Sequence, residues 1–325
     1  MSRYLLTGAA GFIAARVAEL LLADGHTVVG LDNLNDAYDV RLKRWRLQRL
    51  QAQPGFRFHH ADIRDRAALE GVWSAAGPFD AVLNLAARAG VRYSVQDPWV
   101  YLETNATGAL NLLELCRRSG VRKFVLASTS SLYGSHNPLP YREDADTDRP
   151  LSPYAASKKA AEALCHAYHH LHQLDVTVLR YFTVYGPAGR PDMSLFRFVQ
   201  WVDEGRPVTI YGDGQQSRDF TYVDDIARGT VAALRPLGYE VINLGSDRPA
   251  RLIDMLRLVE RLLGKTARID FQPAHPADVP ATWADVGRAG RLLDWEPTVT
   301  YEEGVARLVE WYRRERDWAR DIRTD

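Results

Sequence analysis

Tyr154 and Lys158 stand four residues apart in the run Ser152-Pro153-Tyr154-Ala155-Ala156-Ser157-Lys158. On a helix, positions i and i+4 share a face, so a phenol and an ammonium can act on one small volume. A free tyrosine titrates near ~10 and is a poor base at neutral pH. Bringing it to about 7 takes roughly 4 kcal/mol of preferential phenolate stabilisation, at about 1.36 kcal/mol per pH unit. One cation within hydrogen-bonding range supplies ~1–3 units, so the lysine covers much of that shift. Such a pair suits proton abstraction from an alcohol. That chemistry also needs a hydride acceptor.

The start of the chain is built to hold one. Arg3-Tyr4-Leu5-Leu6-Thr7 is a short strand-like run, followed by Gly8-Ala9-Ala10-Gly11-Phe12-Ile13-Ala14 and a helical pattern through Val17, Leu20 and Leu21. A strand, a glycine turn and a helix N-terminus form a pyrophosphate cradle. The second strand-like run, Thr27 to Leu31, ends in Asp32. A carboxylate there accepts from adenosine ribose hydroxyls and repels a 2′-phosphate, which favours NAD over NADP. Apolar runs recur near residues 56–60, 81–85, 123–127 and 176–181 with helical patterns between them. The alternation predicts an α/β fold with a doubly wound parallel Rossmann sheet.

The G-x-x-G-x-x-A spacing together with Tyr154-x-x-x-Lys158 resembles the extended short-chain dehydrogenase/reductase family. Asn84-Leu85-Ala86-Ala87, Asn105, Ser128-Thr129-Ser130-Ser131-Leu132-Tyr133-Gly134 and Arg180-Tyr181-Phe182-Thr183-Val184-Tyr185-Gly186-Pro187 follow in the family's order, so the resemblance covers nearly the whole chain. Ala14 departs from the usual third glycine. The resemblance implies a tightly bound NAD, regenerated each turnover, held by Gly8, Gly11, Phe12, Ile13, Asp32, Asn33 and Lys43. Further NAD contacts would come from Asp62, Ile63, Leu85, Ala86, Ala87, Asn105 and Tyr181. Tyr154 would be the base, Lys158 would hold the phenolate and the nicotinamide ribose, and Thr129 would bond the substrate oxygen. The family's helix after the tyrosine also forms a homodimer contact.

The second half suggests the substrate. Tyr211-Gly212-Asp213-Gly214-Gln215-Gln216-Ser217-Arg218-Asp219-Phe220-Thr221-Tyr222 is similar to the segment of nucleotide-sugar epimerases and dehydratases whose arginine, here Arg218, binds the diphosphate. Asp278 falls where relatives contact the nucleoside, and His275 stands nearby. The Asp-Glu pair of 4,6-dehydratases is missing from Ser128-Thr129-Ser130-Ser131. Gly186-Pro187-Ala188-Gly189-Arg190-Pro191-Asp192-Met193 and the segment Asn33 to Lys43 resemble the UDP-glucuronate 4-epimerase group. A C6 carboxylate is served by small hydroxyl donors and a cation, and Thr129, Ser130, Ser131, Thr183 and Arg190 are the residues expected to provide them. Arg88 lines the sugar pocket or forms a loop salt bridge.

The cycle so implied interconverts UDP-glucuronate and UDP-galacturonate. Tyr154 takes the C4 hydroxyl proton while hydride goes to NAD, the 4-keto sugar turns, and hydride returns to its other face. A 4-keto-glucuronate is a β-keto acid and can lose carbon dioxide. Decarboxylase relatives commonly carry a glutamate where this chain has Ser131, which favours epimerisation. UDP-glucose 4-epimerase and UDP-glucuronate decarboxylase remain the neighbouring readings. A non-catalytic NAD-binding regulator is the reading from another class, and the retained Tyr154 and Lys158 speak against it.

The remaining features are bland. The 325 residues carry 41 Lys plus Arg and 41 Asp plus Glu, so no global charge points to nucleic acid or membrane. Cys116 and Cys165 have no C-x-x-C partner, and no apolar stretch approaches ~18–20 residues. A cytoplasmic enzyme is the expectation. His166, His169, His170 and His172 read as a partly exposed helix face, and no metal is expected. Residues 1–185, joined by about 219–245, are expected to form the NAD-binding domain. Residues 186–218 and 246–325 are expected to form the substrate domain.

Overall fold

The computed structural model describes residues 1–274 and 278–324. Its strands are β1 (Arg3–Thr7), β2 (Thr27–Asp32), β3 (Phe56–His60), β4 (Ala81–Asn84), β5 (Lys123–Thr129), β6 (Asp175–Tyr181), β7 (Thr183–Tyr185), β8 (Val208–Tyr211), β9 (Ser217–Tyr222), β10 (Tyr239–Leu244), β11 (Pro249–Arg251) and β12 (Ile269–Gln272). Seven form one parallel sheet in the order β10-β6-β5-β4-β1-β2-β3. The chain order reverses between β1 and β4, and in such sheets the crevice at the strands' carboxyl ends is where ligands bind.

The central strands are apolar on both faces because helices cover both. Successive residues feed opposite cores: Leu5, Val29, Val82, Leu126 and Val178 face one side. Leu6, Val28, Leu83, Val125 and Leu179 face the other. Truncating one of them, Leu83→Ala for example, removes packing worth about 2–5 kcal/mol.

The helices that matter for the site are α1 (Phe12–Ala23), α2 (Val40–Gln51), α3 (Arg66–Ala76), α4 (Val91–Gln96), α5 (Pro98–Tyr101), α6 (Gly108–Ser119) and α7 (Pro153–His172). A wide, π-type turn, Leu102–Thr107, joins α5 to α6. Such turns interrupt the regular helical register and often occur at functional sites. From β7 onward, two small sheets (β11-β9-β7 and β12-β8) pack with the helices Ser194–Asp203, Leu252–Leu263 and Tyr301–Arg314 around their own apolar cluster. Phe12 of α1 and Leu42 of α2 are buried in that cluster, so the two parts of the chain share core.

Candidate active site

Local chemistry fixes the start of α7. Ser152 caps it by accepting from the Ala155 N–H at 3.2 Å, and Pro153 occupies the first turn, where its missing N–H costs nothing. Tyr154 is thereby held one turn before the buried Lys158. Ser157 Oγ donates to the Tyr154 carbonyl at 2.8 Å and accepts from Asn105 Nδ2 at 2.9 Å. Asn105 also bonds Arg88 twice through the backbone, its Oδ1 accepting from N and its Nδ2 donating to O, each at 2.9 Å. The π-type turn thus pins the tyrosine helix to the loop after β4.

Burial pushes the Tyr154 phenol above its usual range. A hydrogen bond with the Thr129 side chain and the charge of Arg190 work against that rise. The Lys158 ammonium donates to the Ala127 carbonyl at 2.8 Å. Burial lowers the Lys158 pKa to about 8, against the pull of Glu162 one turn further on. In this geometry the Lys158 ammonium bonds main chain, and Thr129 and Arg190 oppose the rise of the phenol.

Thr129 closes β5, and its Oγ1 accepts from the Ser131 N–H at 3.2 Å, which folds Ser130 and Ser131 into a tight turn at the strand's end. Thr183 opens β7, and it shares a cavity wall with Gly186, Arg190 and Met193. Arg190 is gripped by Asp192 through two contacts, 3.1 and 2.5 Å, and donates to Ala89 O at 3.3 Å. Burial works against its charge, but Asp192 more than offsets this and holds its pKa up. Arg88 rests over the Tyr93 ring at 5.6 Å.

The glycine turn fits a dinucleotide. Gly8 has φ +69°, and a Cβ there would lie 2.8 Å from Ala86 N, so β1 and the residues after β4 approach more closely than any side chain allows. Ala86 N–H is in turn bound by Thr7 Oγ1 at 3.1 Å. Gly11 precedes α1 without a side-chain cap, which leaves the first-turn N–H groups available to an anion. Ala14 is buried in the core, its methyl accommodated between helix and sheet. Asp32 accepts from Ala10 N at 3.1 Å and Leu34 N at 2.8 Å, leaving lone pairs for ribose hydroxyls. Asn33 and Asp62 are joined at 2.8 Å, and Arg64 also holds Asp62. Lys43 donates to Asn35 at 2.9 Å. Burial lowers its pKa to about 8, with Asp32 opposing and Arg46, Arg88 and Arg190 reinforcing the shift.

Two expected cofactor residues contribute packing with their side chains. Tyr181 has its ring in the core and its hydroxyl 2.7 Å from Thr230 Oγ1. Ile63 is buried against Gly108, where a Cβ would come within 2.5 Å of it. Leu85, Ala86 and Ala87 are half-buried at the β4 exit.

At the far end, Arg218 donates to Ser217 O at 2.8 Å. Burial pushes its pKa down, Asp278 opposes this, and Arg92 adds to it. Arg92 pairs with Asp278 at 2.6 Å across the cleft and lies 4.0 Å from the Tyr211 ring centroid. His275 lies outside the described residues. Sequence reasoning missed Arg92, Arg46 and Glu162. For Arg46 a signal existed: Leu42, Lys43, Arg46, Leu47 and Leu50 form the buried face of α2, and two cations on an apolar face require a partner.

Residues 4–245 match the NAD dependent epimerase/dehydratase family. The UDP-glucuronate 4-epimerase of Thermodesulfobacterium geofontis is 54% identical over 324 residues, covering 99% of this chain and 100% of that protein. The crystal structure of UDP-glucuronic acid 4-epimerase from Bacillus cereus, in complex with UDP-glucuronic acid and NAD, superposes with a TM-score of 0.90 at 38% identity, covering 96% of this chain and 99% of that one. A Thermotoga maritima UDP-glucose 4-epimerase with UDP-glucose does so with a TM-score of 0.89 at 32% identity, with the same coverage. With a parallel seven-stranded sheet, a dinucleotide cradle and a half-buried tyrosine one turn from a buried lysine, this chain belongs to the NAD dependent epimerase/dehydratase family.

Proposed function

We infer that this chain is an NAD-dependent nucleotide-sugar 4-epimerase that interconverts UDP-glucuronate and UDP-galacturonate. The fold is common to glucose and glucuronate epimerases, so the sugar must be argued separately. The observation that carries it is Arg190, a guanidinium close enough to Tyr154 to act on its charge and sharing a pocket wall with Thr183. A cation beside the reacting hydroxyl serves a C6 carboxylate and has no counterpart to bind in a hydroxymethyl group. The full-length relative at 54% identity supports the same choice.

In this reading Tyr154 takes the C4 hydroxyl proton and later returns it, with Thr129 sharing the hydrogen bond. Lys158 keeps a positive charge beneath the phenol. NAD held beside them would supply the hydride acceptor, and afterwards the donor, for C4. Gly8, Gly11, the first turn of α1, Asp32, Asn33, Lys43 and the backbone at Asp62 and Leu85–Ala87 hold the dinucleotide. Thr129, Ser130, Ser131, Thr183 and Arg190 hold the carboxylate away from the geometry that loses carbon dioxide. Arg218 anchors the diphosphate while the sugar turns, with Asp278 at the nucleoside. Residues 1–185 and 219–245 make up the cofactor domain, and 186–218 with 246–325 the substrate domain.

A homodimer in the cytoplasm completes the proposal. Supporting it, Tyr93, Val95, Trp99 and Leu102 expose large apolar side chains within ten residues, and Leu171 does so near the end of α7. Both thiols are free and buried, and no described helix is long and apolar enough to cross a membrane. Sedimentation at the monomer mass of 36.6 kDa would overturn the dimer.

The test of function is incubation with UDP-glucuronate without added NAD, with products identified by NMR. UDP-galacturonate is expected. UDP-pentose would mean a decarboxylase, and turnover of UDP-glucose alone would overturn the sugar assignment.

A further inference from the structure

Arg46 is 4% exposed, and every N–H of its guanidinium is engaged. Nε and Nη2 both donate to Ala188 O, at 3.0 and 2.6 Å, and Nη2 also reaches Gly189 O at 3.2 Å. Nη1 donates to Ala10 O at 3.0 Å and to the Tyr38 hydroxyl at 2.9 Å. All of these partners are neutral. Three segments far apart in sequence meet on one side chain: the glycine turn, the loop before α2, and the segment that leads into Arg190.

That segment does not hold its shape by local preference. Ala188 sits at φ +51°, a left-handed conformation that a residue with a Cβ seldom adopts. Its carbonyl is the one chelated by two Arg46 donors, so the buried guanidinium fixes the conformation that the alanine resists. Gly189 beyond it approaches Phe12, the first residue of α1. Arg190 follows directly.

A buried cation whose hydrogen-bond partners are all neutral is costly, and an anion on the glycine turn, which Arg46 holds through Ala10 O, would offset that cost.

We propose that Arg46 is a positioning residue that couples dinucleotide binding to recognition of the sugar carboxylate, by tying the glycine turn at Ala10 to the 188–189 segment that carries Arg190. This rests on the glucuronate reading above. When an anion settles on the glycine turn, the same guanidinium that feels it also sets the carboxylate arm. Without Arg46, Ala188 relaxes toward ordinary backbone and the arm drifts, while the diphosphate end at Arg218 is untouched.

The experiment uses the Tyr154→Phe protein, in which turnover is blocked and affinity can be read directly. Calorimetry on that parent and on its Arg46→Met and Arg46→Lys derivatives would compare UDP-glucuronate, UDP-glucose and UDP, with bound NAD per subunit measured alongside. Arg46→Met should weaken UDP-glucuronate about tenfold or more, leave UDP and UDP-glucose within about twofold, and lower NAD occupancy. Arg46→Lys should recover only part of the loss, since an ammonium lacks the planar fork. Equal weakening of all three ligands, or no change in any, would overturn the proposal. If Arg46→Met does not fold, Tyr38→Phe removes a single strut contact and should shift the same preference in the same direction; an unchanged preference there counts against it. The parent's own preference separates the two readings. A parent that does not favour UDP-glucuronate sinks the sugar assignment, whereas a preference that survives Arg46→Met sinks only the role of Arg46.

Discussion

The cofactor end and the sugar end of the cleft hold their polar groups in opposite ways. At the cofactor end the chemistry is carried by backbone: Gly8 at φ +69°, the uncapped start of α1, and Asp32 held by two N–H groups. Those elements are fixed by strand and helix whether or not anything binds. At the sugar and nucleotide end the charges are side chains resting on the chain's own aspartates, Arg190 on Asp192 and Arg92 on Asp278. They must exchange partners to bind an anion. Preorganised backbone gives affinity common to the whole fold. Exchangeable pairs are where one sugar is told from another.

The sharpest contrast separates chemistry from binding. Tyr154→Phe should lower kcat by about 10³-fold or more, since a positioned general base contributes ~10²–10⁴. NAD should stay bound, because the cradle is backbone. Near-normal turnover in stopped NMR assays would remove Tyr154 from its role. Arg190→Ala should come next, costing UDP-glucuronate about 1.5–3 kcal/mol, roughly 10–100-fold in kcat/KM. UDP-glucose should lose far less. An equal loss on both sugars would mean that Arg190 serves the fold or the phenol and not the carboxylate.

A smaller effect is expected where the exchange is at the nucleotide. Arg92→Ala leaves Arg218 intact but takes one of two guanidinium groups from the anion site, and UDP affinity should fall about tenfold with uridine unchanged. Asp278→Ala should weaken uridine instead, if the carboxylate serves the nucleoside. Should Arg92→Ala weaken uridine and UDP alike, its part is to orient Asp278, and the comparison between the two ends loses one of its two pairs.

The same contrast explains what was legible in the sequence. Strand runs such as Arg3–Thr7 and Lys123–Thr129 were visible because strands buried on both faces read as continuous apolar segments. Asp32 and the Tyr154–Lys158 pair were visible because local spacing encodes their geometry. For Arg46 the period of α2 shows a cation on an apolar face but not its partners, which lie at residues 10, 38, 188 and 189. Glu162 was hidden for the same reason: it meets Arg180 at 2.8 Å and Ser128 at 2.5 Å, and neither distance follows from helix periodicity. For Lys158, i,i+4 spacing says that it shares a face with Tyr154, and does not say that its ammonium will also bond the Ala127 carbonyl.

The Glu162–Lys158 relation supports the most delicate prediction, on pH. Burial brings the Lys158 pKa down to about 8, well below a free lysine, and Glu162 is the group that resists. In the proposed cycle the ammonium is the working form, so the kcat profile should carry an alkaline limb near pH 8, falling as the proton leaves. In Glu162→Gln the resisting charge is gone, so the same limb should move to lower pH while the protein still binds UDP. Arg180 loses its carboxylate partner in that variant, and its less compensated charge bears on Lys158 in the same direction, which adds to the shift. Lys43 also has a pKa of about 8 and would give a limb at the same pH. It lies on α2 bonded to Asn35, with Asp32, Arg46, Arg88 and Arg190 as the charges that act on it, so its limb should not respond to Glu162→Gln. A pH profile that stays in place in Glu162→Gln would assign the alkaline limb to Lys43 and so to the cofactor end of the cleft.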